Sequence, residues 1–200
     1  MKSVDTLRHE HDAVLLVLDS LEPALQAAEQ GVAVPLDIFT DVGEFFSVFV
    51  DQCHSSKEES AVFARIPPST RGTALVRQLE NEHSTGRSLS AAYAAAVAAY
   101  RPGNAASGAD VACAARAYGS ALRAHIEEEN VGLFPAMERS LPTDDDAMIA
   151  EFDRIELEEI GAGTHERIHG MIDSLPPRIR PWAEKGALTP NPSPTRGEGL

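Results

Sequence analysis

Apolar residues recur along most of the chain at intervals of three, four and seven, the period of helices that bury one face. Leu7, Val14, Leu18, Leu21 and Leu25 follow it in a first helix from about Val4 to Gln30, ended at Gly31. Phe46, Val50 and Val62 share a face of a second helix, which begins near Pro35 and stops near Ile66, before Pro67-Pro68. A third is predicted between "PPST" and "RPGN", with Leu79 and Val97 inward, and a fourth that begins after "ASGAD" and runs to about Ser140, with Tyr118, Leu122 and Leu133 inward. A fifth starts after "PTDDD", where aspartates suit the positive end of a helix dipole, and Gly161 and Gly163 interrupt it. No strand pattern competes. The reading is all-α: an up-down four-helix bundle over residues 1–140, with an additional C-terminal helix over 143–175 packed on it. From Pro176 the chain turns rich in Pro, Gly and Ser, and residues 176–200 are expected to form a disordered tail.

Polar residues interrupt these apolar faces at corresponding places. Each bundle helix sets one histidine among Leu, Val and Phe: His11, His54, His83 and His125. The second and fourth add a glutamate four residues on, Glu58 and Glu129. The pattern is a repeat. "LRHEH" (7–11) returns as "LENEH" (79–83), and "HSSKEESAVF" (54–63) returns as "HIEEENVGLF" (125–134). Residues i and i+4 lie on one helical face, so each His-x-x-x-Glu aims both side chains at one spot.

Four packed helices therefore bring four imidazoles and two carboxylates into one bundle core, where uncompensated charge is costly. A metal ion removes that objection. Mixed imidazole and carboxylate donors suit iron or manganese, with zinc also compatible, and a glutamate from each of two opposed helices is placed to bridge two ions. A hydrogen-bonded polar core is the alternative. A second alternative is the Glu-x-x-His scheme of ferritin-like iron oxidases and stores, which "ENEH" and "ERIH" fit but which leaves His54 and His125 unused. A third is a metal-free helical interaction module.

Composition narrows the partners. A net charge of −14 over 200 residues argues against a nucleic-acid partner and against an anionic membrane surface. The start lacks the apolar stretch of a signal peptide, and "SLSAAYAAAVAAY" is too short and too weakly apolar to span a bilayer. Two cysteines are too few for a disulfide scaffold, so a cytoplasmic location is expected. Cys53 precedes a candidate ligand but points about 100° away around the helix, into packing. His9 is expected to be exposed. His165 and His169, one turn apart, either add a fifth imidazole to one ion or form a polar face of the last helix. No catalytic triad or separate general acid stands out.

"LRHEHDAVLLVLDSLE", "CHSSKEESAVF", "LENEHSTGRSL" and "HIEEENVGLFPAM" resemble the hemerythrin-like, or HHE cation-binding, family over roughly residues 4–140. The resemblance implies a hemerythrin-like four-helix bundle holding a non-haem di-iron centre. Such a centre senses, binds or detoxifies a small diatomic or peroxide ligand: dioxygen, peroxide or nitric oxide. By position it implies His11, His54, Glu58, His83, His125 and Glu129 as ligands of the two iron ions, with Glu58 and Glu129 bridging. Invertebrate oxygen carriers have His-x-x-x-His on the third helix; here Arg87 stands four residues after His83. The carriers also have Asp where this chain has Asn130. The chain is thus similar to the HHE branch, which includes an iron-sensing domain of a ubiquitin-ligase subunit.

Overall fold

The computed structural model describes residues 1–68 and 70–186, and every regular element among them is helical. α1 spans Lys2–Glu29. α2 begins as Leu36–Glu44, widens into π-helical turns at Phe45–His54 and Lys57–Val62, and tightens into a last turn at Phe63–Arg65. α3 is Thr70–Ala99. α4 runs as Ala105–Glu128, a π-helical turn Glu129–Leu133 and a final segment Phe134–Ser140. α5 comprises Asp145–Arg154 and the wider turn Ile155–Gly161, and α6 is Thr164–Gly186.

Around the bundle, α1 packs on α4, α4 on α3 and α3 on α2, while α5 and α6 lie over α1 and α2. At one end the turn after α1 meets the turn before α4. Gly108 makes this approach possible: a Cβ there would stand 2.1 Å from the carbonyl oxygen of Ala28. The Tyr93 and Tyr100 hydroxyls donate to the carbonyls of Phe39 and Val34 (3.0 and 3.1 Å), tying the start of α2 to α3 and the turn that follows it.

Two boundaries differ from the sequence reading. α4 starts at Ala105, earlier than expected, because Asn104 Oδ1 accepts from the amide of Ser107 (2.9 Å) and caps it. Gly108 is therefore a packing residue inside the helix. The second difference is larger. The ordered chain was expected to end at about residue 175, yet α6 continues to Gly186 through Pro176, Pro177 and Pro181. Each proline removes a backbone donor. The helix persists because Leu175 and Ile179 are buried, Trp182 packs against the same core, and Arg178 reaches Asp41 (2.6 Å) and Asp37 (3.2 Å). The rest of the expected tail, 187–200, lies outside the described residues. Gly161 and Gly163 do break the C-terminal region, with φ of +97° and +80°, so it holds two helices.

The core is two apolar clusters, not one. One includes Val14, Phe46, Val50, Tyr93, Tyr118, Leu122 and Ile126. The other includes Val4, Leu7, Val62, Leu79, Leu133, Phe134 and Met137. The layer between them holds the candidate ligands. His11 lies between Leu7 and Val14, and His125 between Leu122 and Leu133.

Candidate metal centre

The heptad-like spacing of α1–α4 turns all six sequence-predicted side chains inward. His11, His54, Glu58, His83, His125 and Glu129 are all buried, Glu58 and Glu129 completely. The π-helical turns of α2 and α4 carry His54, Glu58 and Glu129; such widened turns are rare and concentrate at functional sites.

The six fall into two groups. His11 and His54 face each other Nε2 to Nε2 at 3.2 Å, and His83 and His125 do so at 3.1 Å. Glu58 stands between the pairs, with one oxygen 3.5 Å from His54 Nε2 and the other 3.2 Å from His83 Nε2. Glu129 does the same from the opposite side, 3.1 Å from His11 Nε2 and 3.2 Å from His125 Nε2. Donor atoms of His11, His54, Glu58 and Glu129 lie within 4.8 Å of one another, as do those of Glu58, His83, His125 and Glu129. Each group can hold one cation, and the two carboxylates belong to both.

Protein contacts leave these carboxylates unsatisfied. All four oxygens of Glu58 and Glu129 are buried without a hydrogen-bond partner. Buried orphans of this kind are costly, and a cation satisfies them. Charge is mutually arranged without one. Burial pushes the Glu129 carboxyl up, but His11 and His125 outweigh it and hold it far below the usual range. Burial pulls His83 down, yet Glu58 and Glu59 raise it to about 10; Glu129 likewise raises His125 to about 9.

Behind the inward nitrogens lies a set of partners that the sequence reading missed. His54 Nδ1 pairs with Glu10 Oε2 (2.7 Å), His83 Nδ1 with Glu59 Oε1 (2.8 Å) and His125 Nδ1 with Glu82 Oε2 (2.8 Å). A carboxylate on Nδ1 fixes that nitrogen as the N–H and turns Nε2 inward as the atom that would meet a cation, the usual arrangement behind metal-bound imidazoles. The signal was in the repeat. The glutamate in both "EH" pairs serves not its neighbour but the histidine of the next helix. Phe63 stacks on His83 and Phe134 on His11, completing the doubled design. The symmetry fails once: His11 Nδ1 is buried without a partner, and the repeat counterpart of Glu59 is Asn130.

Lys57, wholly buried on α2, also went unrecognised. It donates to Glu10 Oε1 and to Glu156 Oε1 of α5 (2.6 Å), and lies 5.7 Å from the centre of the Phe152 ring. Burial pushes the Glu10 carboxyl up, but His54 and Lys57 hold it at about 2. Cys53 is buried in packing, as expected, and burial pushes its thiol up to about 12. His9 is exposed. Glu80 and Glu166, which the ferritin-like scheme requires inside, are both exposed.

A cavity of about 200 Å³ borders all four histidines. Val14, Val50, Leu122 and Ile126 form its apolar wall, and Asp51 and Tyr118 join it. The Tyr118 hydroxyl donates to Asp51 Oδ1 at 2.6 Å. No helix among the described residues is long and apolar enough to cross a membrane.

Among known proteins, a family model described as the hemerythrin HHE cation binding domain matches residues 2–137. That span holds all six converging side chains and ends before α5. Comparisons with curated proteins and with solved structures returned no match.

Proposed function

The chain belongs to the hemerythrin HHE cation-binding family, and from that premise we propose that the bundle holds two iron ions that meet dioxygen, peroxide or nitric oxide. One observation carries the reading: Glu58 and Glu129 each reach both histidine pairs. His11 and His54 would hold one ion and His83 and His125 the other, with the two carboxylates bridging. The donor set of imidazole and carboxylate fits iron, and two bridging carboxylates would offset half the charge of a pair of dications. The four orphaned carboxylate oxygens support a cation over a hydrogen-bonded polar core.

Iron held there by the four histidines and two glutamates would supply binding or reduction of a small oxidant. The chain's own groups set the conditions. Glu10, Glu59 and Glu82 hold three imidazoles in one tautomer. The two apolar clusters keep bulk water from the layer between them. A cavity of about 200 Å³ is below the usual size of organic-ligand sites, so it suits a diatomic or peroxide ligand. The Tyr118 hydroxyl donates its proton to a hydrogen bond with Asp51 Oδ1 at the cavity wall.

The test is iron content per chain after anaerobic loading, followed by optical spectra before and after air, peroxide and nitric oxide. Wild type should carry about two iron ions per chain, and Glu58→Ala or Glu129→Ala should lose most of them. Glu80→Ala should leave the content unchanged, because Glu80 is exposed. Full iron in Glu58→Ala, or collapse in Glu80→Ala, would reject the assignment. Spectral change without turnover would mark a sensor or binder, and peroxide turnover an enzyme.

A further inference from the structure

Among the described residues no fifth imidazole joins the core layer: His165 and His169 face each other on α6 (3.2 Å) and belong to neither core donor group. What a small ligand meets beside the layer is therefore the wall of the cavity that borders the four histidines. That wall is lopsided. Asp51 stands three residues before His54 and Tyr118 seven before His125, and both border the cavity. Their counterparts in the repeat are Leu122 and Ser47, so the polar pair has no twin across the bundle. The Tyr118 ring is fully buried and packs edge-on against Phe46, with centroids 4.6 Å apart.

Every hydroxyl on the wall has already committed its hydrogen. Tyr118 donates to Asp51 Oδ1 (2.6 Å), Ser55 to the carbonyl of Val50 (3.1 Å) and Thr85 to the carbonyl of Asn81 (2.9 Å). Glu82 accepts from His125 Nδ1 (2.8 Å) and from Gln78 Nε2 (2.9 Å). Asp51 also accepts from Ser90, which is buried. Burial pushes the Asp51 carboxyl up, while the bonds from Tyr118 and Ser90 favour its charged form. A carboxylate has about four acceptor positions, and a phenol oxygen accepts as well as donates. Apart from the proposed ligands, the described side chains of the wall thus offer acceptors and no free donor.

From this one-sided set of acceptors, and resting on the iron centre proposed above, we infer that Asp51 and Tyr118 are specificity-determining residues: they favour hydrogen peroxide over dioxygen and nitric oxide. Hydrogen peroxide carries two O–H groups and can donate to Asp51 or to the Tyr118 oxygen. Dioxygen and nitric oxide carry no hydrogen and only accept, so acceptors on the wall give them nothing. Water at such a polar spot is replaced without loss by a ligand that restores its hydrogen bonds, and at a cost by one that cannot. Bonds to an ionised group are the stronger ones, so the preference resides chiefly in Asp51. Leu122, its counterpart in the repeat, supplies no such group, so the discrimination acts from one side of the cavity.

The experiment uses the full chain loaded anaerobically with iron(II), with iron counted per chain first. Stopped-flow absorption then gives separate rate constants for oxidation by hydrogen peroxide and by dioxygen, and optical titrations give the affinity of the reduced protein for nitric oxide and of the oxidised protein for azide. Asp51→Asn keeps the shape and adds an N–H donor, whereas Asp51→Leu copies the repeat counterpart. Both should keep iron and circular dichroism and lower the ratio of peroxide to dioxygen rate constants about 10–100-fold. Nitric oxide binding should not weaken with it. Azide, an anion that only accepts, should bind Asp51→Asn about 10-fold more tightly, a gain that a merely structural role would not produce. A rate ratio equal to wild type, nitric oxide binding that falls as far as the peroxide rate, or unchanged azide affinity overturns the selective role and leaves the iron centre standing. Loss of iron in both variants makes Asp51 a support of the centre and overturns it too. Iron missing from wild type overturns the centre itself, and the selective role with it.

Discussion

Single side chains divide into those that face the core layer and those that hold them there. Glu82 is of the second kind: it is one-third exposed and accepts from His125 Nδ1. Glu82→Ala should weaken iron binding by about 10–100-fold while leaving the fold intact. Competition with a chelator measures the affinity, and an unchanged value would remove Glu82 from the centre. Glu10 is different, because it also neutralises buried Lys57. Glu10→Ala should cost about 3–5 kcal/mol of stability, since it strands part of a buried charge. Urea denaturation of the metal-free variant reads that loss apart from any change in iron. Protonation belongs to this scale as well. Without metal, His83 and His125 are raised from 6.5 to about 10 and about 9 by the carboxylates around them. A raised histidine stabilises fully below its unfolded value and ceases to do so as pH climbs through its folded value. The melting temperature of the metal-free chain should therefore fall from about pH 6.5 to about pH 10. Iron affinity should rise over the same interval, as protons leave the ligands. Calorimetry of the metal-free chain showing a rise across it would contradict this.

At the scale of elements, the contact of α1 with the start of α4 depends on one missing Cβ. In Gly108→Ala the new methyl would meet the Ala28 carbonyl group, with 2.1 Å to its oxygen and 2.4 Å to its carbon. Backbone cannot swing aside as a side-chain tip can, so α1 and α4 must separate locally. The expected loss is about 3 kcal/mol, at the upper end of overpacking costs. Iron content should be retained, because the clash lies at the end of α1 far along the helix from His11. A denaturation midpoint equal to wild type would show that the helices have room. Nothing in the sequence distinguishes this glycine from a helix breaker. Both roles need the same residue, and only the neighbouring helix decides between them.

The whole molecule is a family bundle with two added helices over α1 and α2. Ending the chain after Leu175 removes Ile179, Trp182 and the Arg178 contacts with Asp41 and Asp37. Burial of Ile179 alone contributes about 2 kcal/mol. The shortened chain should melt several degrees lower yet keep its iron content, because the six proposed ligands all lie on α1–α4. An unchanged melting temperature would mean that the last turns of α6 contribute nothing, and loss of iron would mean that they support the centre.

What the sequence determined by itself is what depends on spacing along one helix. The 3.6-residue period placed four histidines and two glutamates on inward faces, and the repeat showed that they belong to one constellation. Their convergence follows once four such faces must bury themselves together. Tertiary structure decided what crosses between helices. Glu10 meets His54 across 44 positions, Glu82 meets His125 across 43, and Lys57 meets Glu156 across 99. The repeat marks Glu10 and Glu82 as equivalent, but spacing along one helix does not say which neighbour either will face, because that depends on how helices rotate and stack. The prolines of α6 teach the same lesson. Local propensity ends the helix at Pro176, but burial of Ile179 against the bundle outweighs the missing backbone hydrogen bonds and carries it to Gly186.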